Sequence, residues 1–199
     1  MAHRDVVVVG ASAGGVVALQ RVLHDLPGHL SAAVFVVLHM PAHGPGLLAH
    51  VLGRHSNLPV HDAVDGERVR LGCVYVARPD RHLVVEPDRV RLIDGPKQNR
   101  SRPSVDALFE AAAAAFGPRV VGVVLTGNLD DGTAGLRAIK LRGGLAIVQD
   151  PLDAEFPGMP RSAVEHLDVD HTVPLAAIAG TIAAAVAERL APPPAPRLR

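Results

Sequence analysis

At 199 residues, with 48% hydrophobic and 20% charged side chains, the chain has the length of one globular domain and enough apolar residues for a substantial core. Twenty basic residues balance twenty acidic ones, so the overall charge gives no reason to expect nucleic acid or an anionic membrane as partner. One cysteine, Cys73, excludes an internal disulfide, and no signal peptide or membrane-spanning run is visible, so a cytoplasmic protein without membrane insertion is expected.

The first element is a run of four valines, residues 6–9, which reads as a buried strand. It ends in Gly10-Ala11-Ser12-Ala13-Gly14-Gly15, and the amphipathic stretch 16–26 that follows reads as a helix, so Ser12 falls in the sharp turn between them. Apolar runs at 33–38, 120–125 and 145–148 read as further buried strands; 47–52, 103–116 and 133–141 read as helices. Between about 60 and 95 the pattern shortens to alternating segments at 74–76, 82–86 and 90–93, with Pro87-Asp88 as a tight turn, which predicts a β-hairpin insertion. Cys73 lies in an apolar, strand-like segment there and is read as a core residue. An Ala-rich stretch, 175–190, reads as the last helix, and the Pro-rich 191–199 as a disordered tail. The alternation predicts an α/β fold: a doubly wound, mainly parallel sheet with helices on both faces, in a single domain over 1–190.

In such a sheet, ligands bind beyond the carboxyl ends of the strands. Ser12 follows the first strand, His39 the second, and Asp130-Asp131-Gly132 comes after the strand at 120–125. Serine, histidine and aspartate on one edge are the parts of an activated nucleophile: a neutral imidazole takes the hydroxyl proton, and a carboxylate orients the ring and stabilises its cation. Each residue also has a plainer role open to it. Ser12 could cap the helix, His39 could be a structural hydrogen-bonding residue, and Asp131 could start a turn.

Gly10-Ala11-Ser12-Ala13-Gly14 matches the G-x-S-x-G of serine hydrolases, yet the chain order Ser, His, Asp departs from that of α/β-hydrolases. A nucleotide-binding domain is a second reading, but Ser12 stands where G-x-G-x-x-G needs its second glycine. His39, His43, His50, His55 and His61 match no standard zinc spacing, so neither metal nor cofactor is expected.

At these residues the chain resembles the catalytic domain of the chemotaxis protein-glutamate methylesterases, the CheB family. The resemblance runs from residue 6 to about 176. Beyond the Ser12 turn it includes His39-Met40-Pro41, Asp65-Gly66-Glu67-Arg68-Val69, Asn99-Arg100-Ser101-Arg102-Pro103-Ser104-Val105-Asp106, Leu125-Thr126-Gly127, Asp131-Gly132, Ala134-Gly135 and Gly158-Met159-Pro160-Arg161. The resemblance implies hydrolysis of glutamate γ-methyl esters on methyl-accepting chemoreceptors, with deamidation of receptor glutamines as the same acyl chemistry. It implies Ser12 as nucleophile, His39 as general base and then acid, and Asp131, which precedes the glycine matched by Gly132, as the orienting carboxylate. Backbone N–H groups near Ala13 and Gly14, and from the turn at Asn128, are candidates for stabilising the oxyanion. Arg100 and Arg102 are candidates for holding acidic groups of a receptor helix, or else for structural salt bridges. A receptor-docking module without catalysis is the remaining alternative.

Two departures stand out. The family commonly has Met-Gly where this chain has Asn128-Leu129, and its typical members carry a receiver domain ahead of the esterase, whereas here the first strand begins within five residues of Met1. The expectation is therefore an esterase that is either constitutive or controlled by a separate regulator protein.

Overall fold

The computed structural model describes residues 3–44 and 46–190; the expected tail at 191–199 lies outside the described residues. A valine run without polar interruption needs cover on both sides, and β1 (Val6–Ala11) has it, buried along its whole length. Six more strands join it: β2 (Ala33–Leu38), β3 (Val60–Asp62), β4 (Val74–Val76), β7 (Val120–Val124), β8 (Leu145–Gln149) and β9 (His171–Val173). Their order is β3-β4-β2-β1-β7-β8-β9, and every pairing is parallel. From β1 the chain adds β2 beside it, goes to the edge for β3, comes back for β4 between β3 and β2, and then crosses to β7 on the other side of β1, so β1 and β7 flank the point where strand order reverses.

Successive side chains of the central strands point to opposite faces. Val7, Val9 and Ala11 pack with α1 (Gly15–Asp25), α2 (Leu48–Gly53) and α6 (Leu175–Ala187), while Val6 and Val8 pack against the other layer. That layer holds α3 (Val105–Phe116), α4 (Thr133–Leu141), α5 (Gly158–His166) and an antiparallel hairpin, β5 (His82–Val85) and β6 (Val90–Ile93). Cys73 is partly buried and packs against the same cluster.

The doubly wound sheet and the hairpin are as expected, whereas the last helix, expected over 175–190, ends at Ala187 because Glu188 is extended, and other elements differ too. Residues 74–76, grouped with the hairpin in the sequence, pair with β2 and β3 and so extend the main sheet. The helix expected from residue 103 begins at Val105, because Pro103 and Ser104 precede the first turn, with Ser104 as its cap residue in extended conformation. The sequence reading also did not anticipate β3, α5 and β9.

Candidate active site

Ser12 is held in its turn from both sides of the chain. Its N–H donates to the Thr126 carbonyl at 3.0 Å, and its carbonyl accepts from Gly15 N–H at 2.9 Å. Gly14, at φ +72°, turns the backbone into α1. The cap position is Gly14, no side chain caps the helix, and the helix-capping role open to Ser12 is therefore not the one it takes. Gly127 lets the loop after β7 approach closely: a Cβ there would lie 2.8 Å from the Ser12 Cβ and 2.2 Å from the Met159 Sδ.

His39 follows β2, and its N–H continues the ladder by donating to the Ala11 carbonyl at 3.1 Å. Its ring lies between the other two residues, with Nδ1 3.1 Å from Ser12 Oγ and Nε2 2.6 Å from Asp131 Oδ2. The Asp131 side chain is 2% exposed and that of His39 18%, so the line from carboxylate to hydroxyl runs from the interior towards solvent.

Asp131 is engaged well beyond His39. Oδ1 accepts from Asn99 Nδ2 at 2.8 Å, Ser104 Oγ at 3.0 Å and Asp106 N–H at 3.0 Å; Oδ2 accepts from Val105 N–H at 2.8 Å. The carboxylate thus caps α3, whose opening N–H groups favour negative charge. Burial alone would raise the Asp131 carboxyl, but the bonds from His39, the α3 backbone and Asn99 outweigh it and hold the group at about 2.

Asp106, in the first turn of α3, does the converse. Its Oδ1 accepts from Gly132 N–H at 2.9 Å and Gly135 N–H at 2.6 Å at the start of α4, and its Oδ2 accepts from Asn99 Nδ2 at 2.6 Å. Burial, reinforced by the Asp131 charge and opposed by these donors, pushes Asp106 up to about 6. Sequence reasoning assigned no role to Asn99, Ser104 or Asp106, although all three stand in the Asn99–Asp106 segment quoted for the family resemblance.

The remaining candidates divide. Ala13 and Gly14 are at the uncapped start of α1. Asn128 is exposed on the same loop as Gly127, packed over Gly158: a Cβ on Gly158 would lie 3.1 Å from the Asn128 Cα. Asp130 is exposed beside buried Asp131. Arg100 is exposed, with φ +63°. Arg102 is committed elsewhere: Nε and Nη2 donate to Asp80 Oδ1 at 3.0 and 2.8 Å, and Nη1 donates to the Gly95 carbonyl at 2.8 Å. Among the described residues, no group of three or more His, Cys, Asp or Glu is placed to hold a metal ion, and no helix is long and apolar enough to cross a membrane.

One of two clefts borders the site. It has about 260 Å³, its lining includes Asp130, Thr133, Arg137 and His166, and it reaches Asp131 through two further lining residues, Asn99 and Asp106, that bond to it. A larger one of about 720 Å³, lined by residues including His3, Asp5, Ser31 and Arg119, lies at the amino ends of the strands, away from Ser12.

Residues 7–182 match the family described as CheB methylesterase. The chain is 41% identical over 176 residues to a Leptospira interrogans protein named "Putative protein-glutamate methylesterase/protein-glutamine glutaminase", covering 88% of this chain and 91% of that one. It is 42% identical to a Moorella thermoacetica protein-glutamate methylesterase/protein-glutamine glutaminase over 92% of this chain, but spans only 44% of that relative's length. Its fold superposes on the crystal structure of the Thermotoga maritima CheB methylesterase catalytic domain with a TM-score of 0.88 at 34% identity, covering 92% of this chain and 99% of that one.

Proposed function

The chain belongs to the CheB methylesterase family, and from that premise we propose that it hydrolyses glutamate γ-methyl esters on methyl-accepting chemoreceptors in the cytoplasm and deamidates receptor glutamines by the same acyl chemistry. One observation carries the reading: the unbroken line from Ser12 Oγ through the His39 ring to Asp131 at the carboxyl edge of the sheet.

The order of contacts sets the proton traffic. A carboxylate held near 2 is ionised at neutral pH and accepts Nε2–H of His39. That leaves the Nδ1 lone pair facing the Ser12 hydroxyl, the tautomer a general base requires. His39 Nδ1 takes the Ser12 proton as Oγ bonds to the ester carbonyl carbon. The oxyanion forms against the N–H groups of Ala13 and Gly14, with Asn128 as a further donor, each such contact being worth about 3 to 4 kcal/mol. Collapse breaks the C–OCH₃ bond, and the imidazolium Nδ1–H protonates the leaving oxygen, releasing methanol and an acyl-Ser12 ester. Water then attacks by the same base catalysis, freeing the glutamate carboxylate and restoring the Ser12 hydroxyl. For a glutamine the leaving group is ammonia, and the second half is identical.

Arg100, exposed near this edge, is proposed to meet acidic side chains flanking the reacting glutamate. Arg102, held by Asp80 and Gly95, is left out of that role. No cofactor enters any step.

The test is methanol release from methylated receptor cytoplasmic domains by the parent protein and by Ser12→Ala. Release by the parent and a loss of at least about a thousandfold in the variant are expected. Equal rates would remove Ser12 from the chemistry, and no release by the folded parent would remove the substrate.

A further inference from the structure

Behind the line from Ser12 to Asp131 lies a second carboxylate that the reaction does not use, joined to the first through one amide. Asn99 Nδ2 donates both to Asp131 Oδ1 at 2.8 Å and to Asp106 Oδ2 at 2.6 Å, so its two N–H bonds are divided between two carboxyl groups. The amide is aimed by a tight turn: Gln98 and Ser101 exchange N–H to carbonyl bonds at 3.1 and 2.8 Å, and Asn99 and Arg100 between them lie at φ +47° and +63°. Asparagine tolerates that conformation better than most side chains.

We propose that Asn99 and Asp106 are positioning residues for Asp131: Asp106 fixes the backbone that carries it, Asn99 keeps the two carboxylates compatible, and together they hold Asp131 as the ionised partner of His39. The proposal rests on the assignment of Ser12, His39 and Asp131 given above, and deepens it.

The geometry supports each part. Asp106 Oδ1 anchors Gly132 N–H, the residue next to Asp131, and Gly135 N–H one turn further on. Like-charged carboxylates this close raise one another's pKa, and a shared donor is what offsets that. Without the amide, each carboxyl group loses a donor, and the pair takes up its proton nearer to neutrality, on Asp106 first; Asp131 then loses the shared donor that fixes it opposite His39. The titratable or charged groups near the pair are His39 after β2, Asp130 beside Asp131, Arg137 on α4, His166 on α5 and His82 on β5, whose Nδ1 accepts from Ser104 N–H at 3.3 Å; Arg100, next to Asn99 on the turn, is exposed.

The test follows phosphonylation of Ser12 by a fluorophosphonate, which reports the nucleophile whatever the natural ester, as a function of pH. Asn99→Gly deletes the amide while suiting the positive φ; Asp106→Asn keeps the size but faces its own NH₂ against that of Asn99. In both, with thermal melting confirming the fold, labelling at pH 7 should fall roughly 10- to 100-fold. In Asn99→Gly the acid limb of the profile should also move up by about half a pH unit or more. A uniform loss with an unmoved acid limb, or labelling at the parent rate, would overturn the proposal. Ser12→Ala is run alongside: labelling of that variant at the parent rate would overturn the nucleophile assignment itself, a failure distinct from that of the positioning residues.

Discussion

Val8 and Asp131 are both buried, yet they are buried in different ways. In the middle of the sheet, Val8 pairs with Phe35 on one side and Gly122 on the other, and any apolar side chain of similar volume would answer the same need. At the carboxyl rim, Asp131 has donors on both oxygens from Asn99, Ser104, Val105, Asp106 and His39, and no other side chain of that size accepts them all without a proton to place. The interior is specified by shape and the rim by polarity, so stability and catalysis should respond to different substitutions.

The sharpest way to separate the two is Asp131→Asn. Its NH₂ group would turn towards His39 Nε2, force the other ring tautomer and leave Nδ1–H facing Ser12; we expect methanol release to fall about 10³- to 10⁴-fold in a folded protein, checked by circular dichroism. A loss below tenfold would break the comparison at its catalytic end.

Leu23→Ala tests the other end. Leu23 is 1% exposed, in the layer that α1 contributes. Its truncation should cost about 2 to 5 kcal/mol of unfolding free energy in urea, while the rate per folded molecule stays unchanged.

The smallest effect lies where the two regions meet. Asp106, raised to about 6 from an ordinary 3.8, binds its proton more tightly in the folded state, so its contribution is full below about pH 4 and is lost as pH rises through 6. Asp131, lowered to about 2, runs the opposite way: its contribution is full above about pH 4 and lost as pH falls through 2. Between pH 4 and 7 the parent should therefore lose on the order of 2 kcal/mol relative to Asp106→Asn, read as the difference in their urea-unfolding slopes against pH. Parallel slopes would mean that Asp106 does not titrate in this window.

What the sequence made legible follows the same division. The runs at 6–9, 33–38 and 120–125 announce buried parallel strands because continuous apolar residues have no other stable place, and strand ends then direct attention to Ser12, His39 and Asp131. The short pieces were harder. β9 spans His171–Val173, with its first two residues exposed, and so carries no apolar period. α5 opens with Gly158 and Pro160, residues that disfavour a helix interior and are accommodated at its start. Residues 74–76 are too short a run to show a period, and only their partners reveal a parallel strand. The partners of Asp131 were out of reach for a different reason: Asn99 and Asp106 lie 32 and 25 residues away, and their joint role exists only after both helices have docked.

That docking has a consequence for motion. α3 is capped by Asp131 from the approach to α4, and α4 is capped by Asp106 from within α3. Neither helix can fray at its first turn without releasing the carboxylate that closes the other. The two helix starts therefore open as a single cooperative unit, and the carboxylate facing His39 is released only when both do.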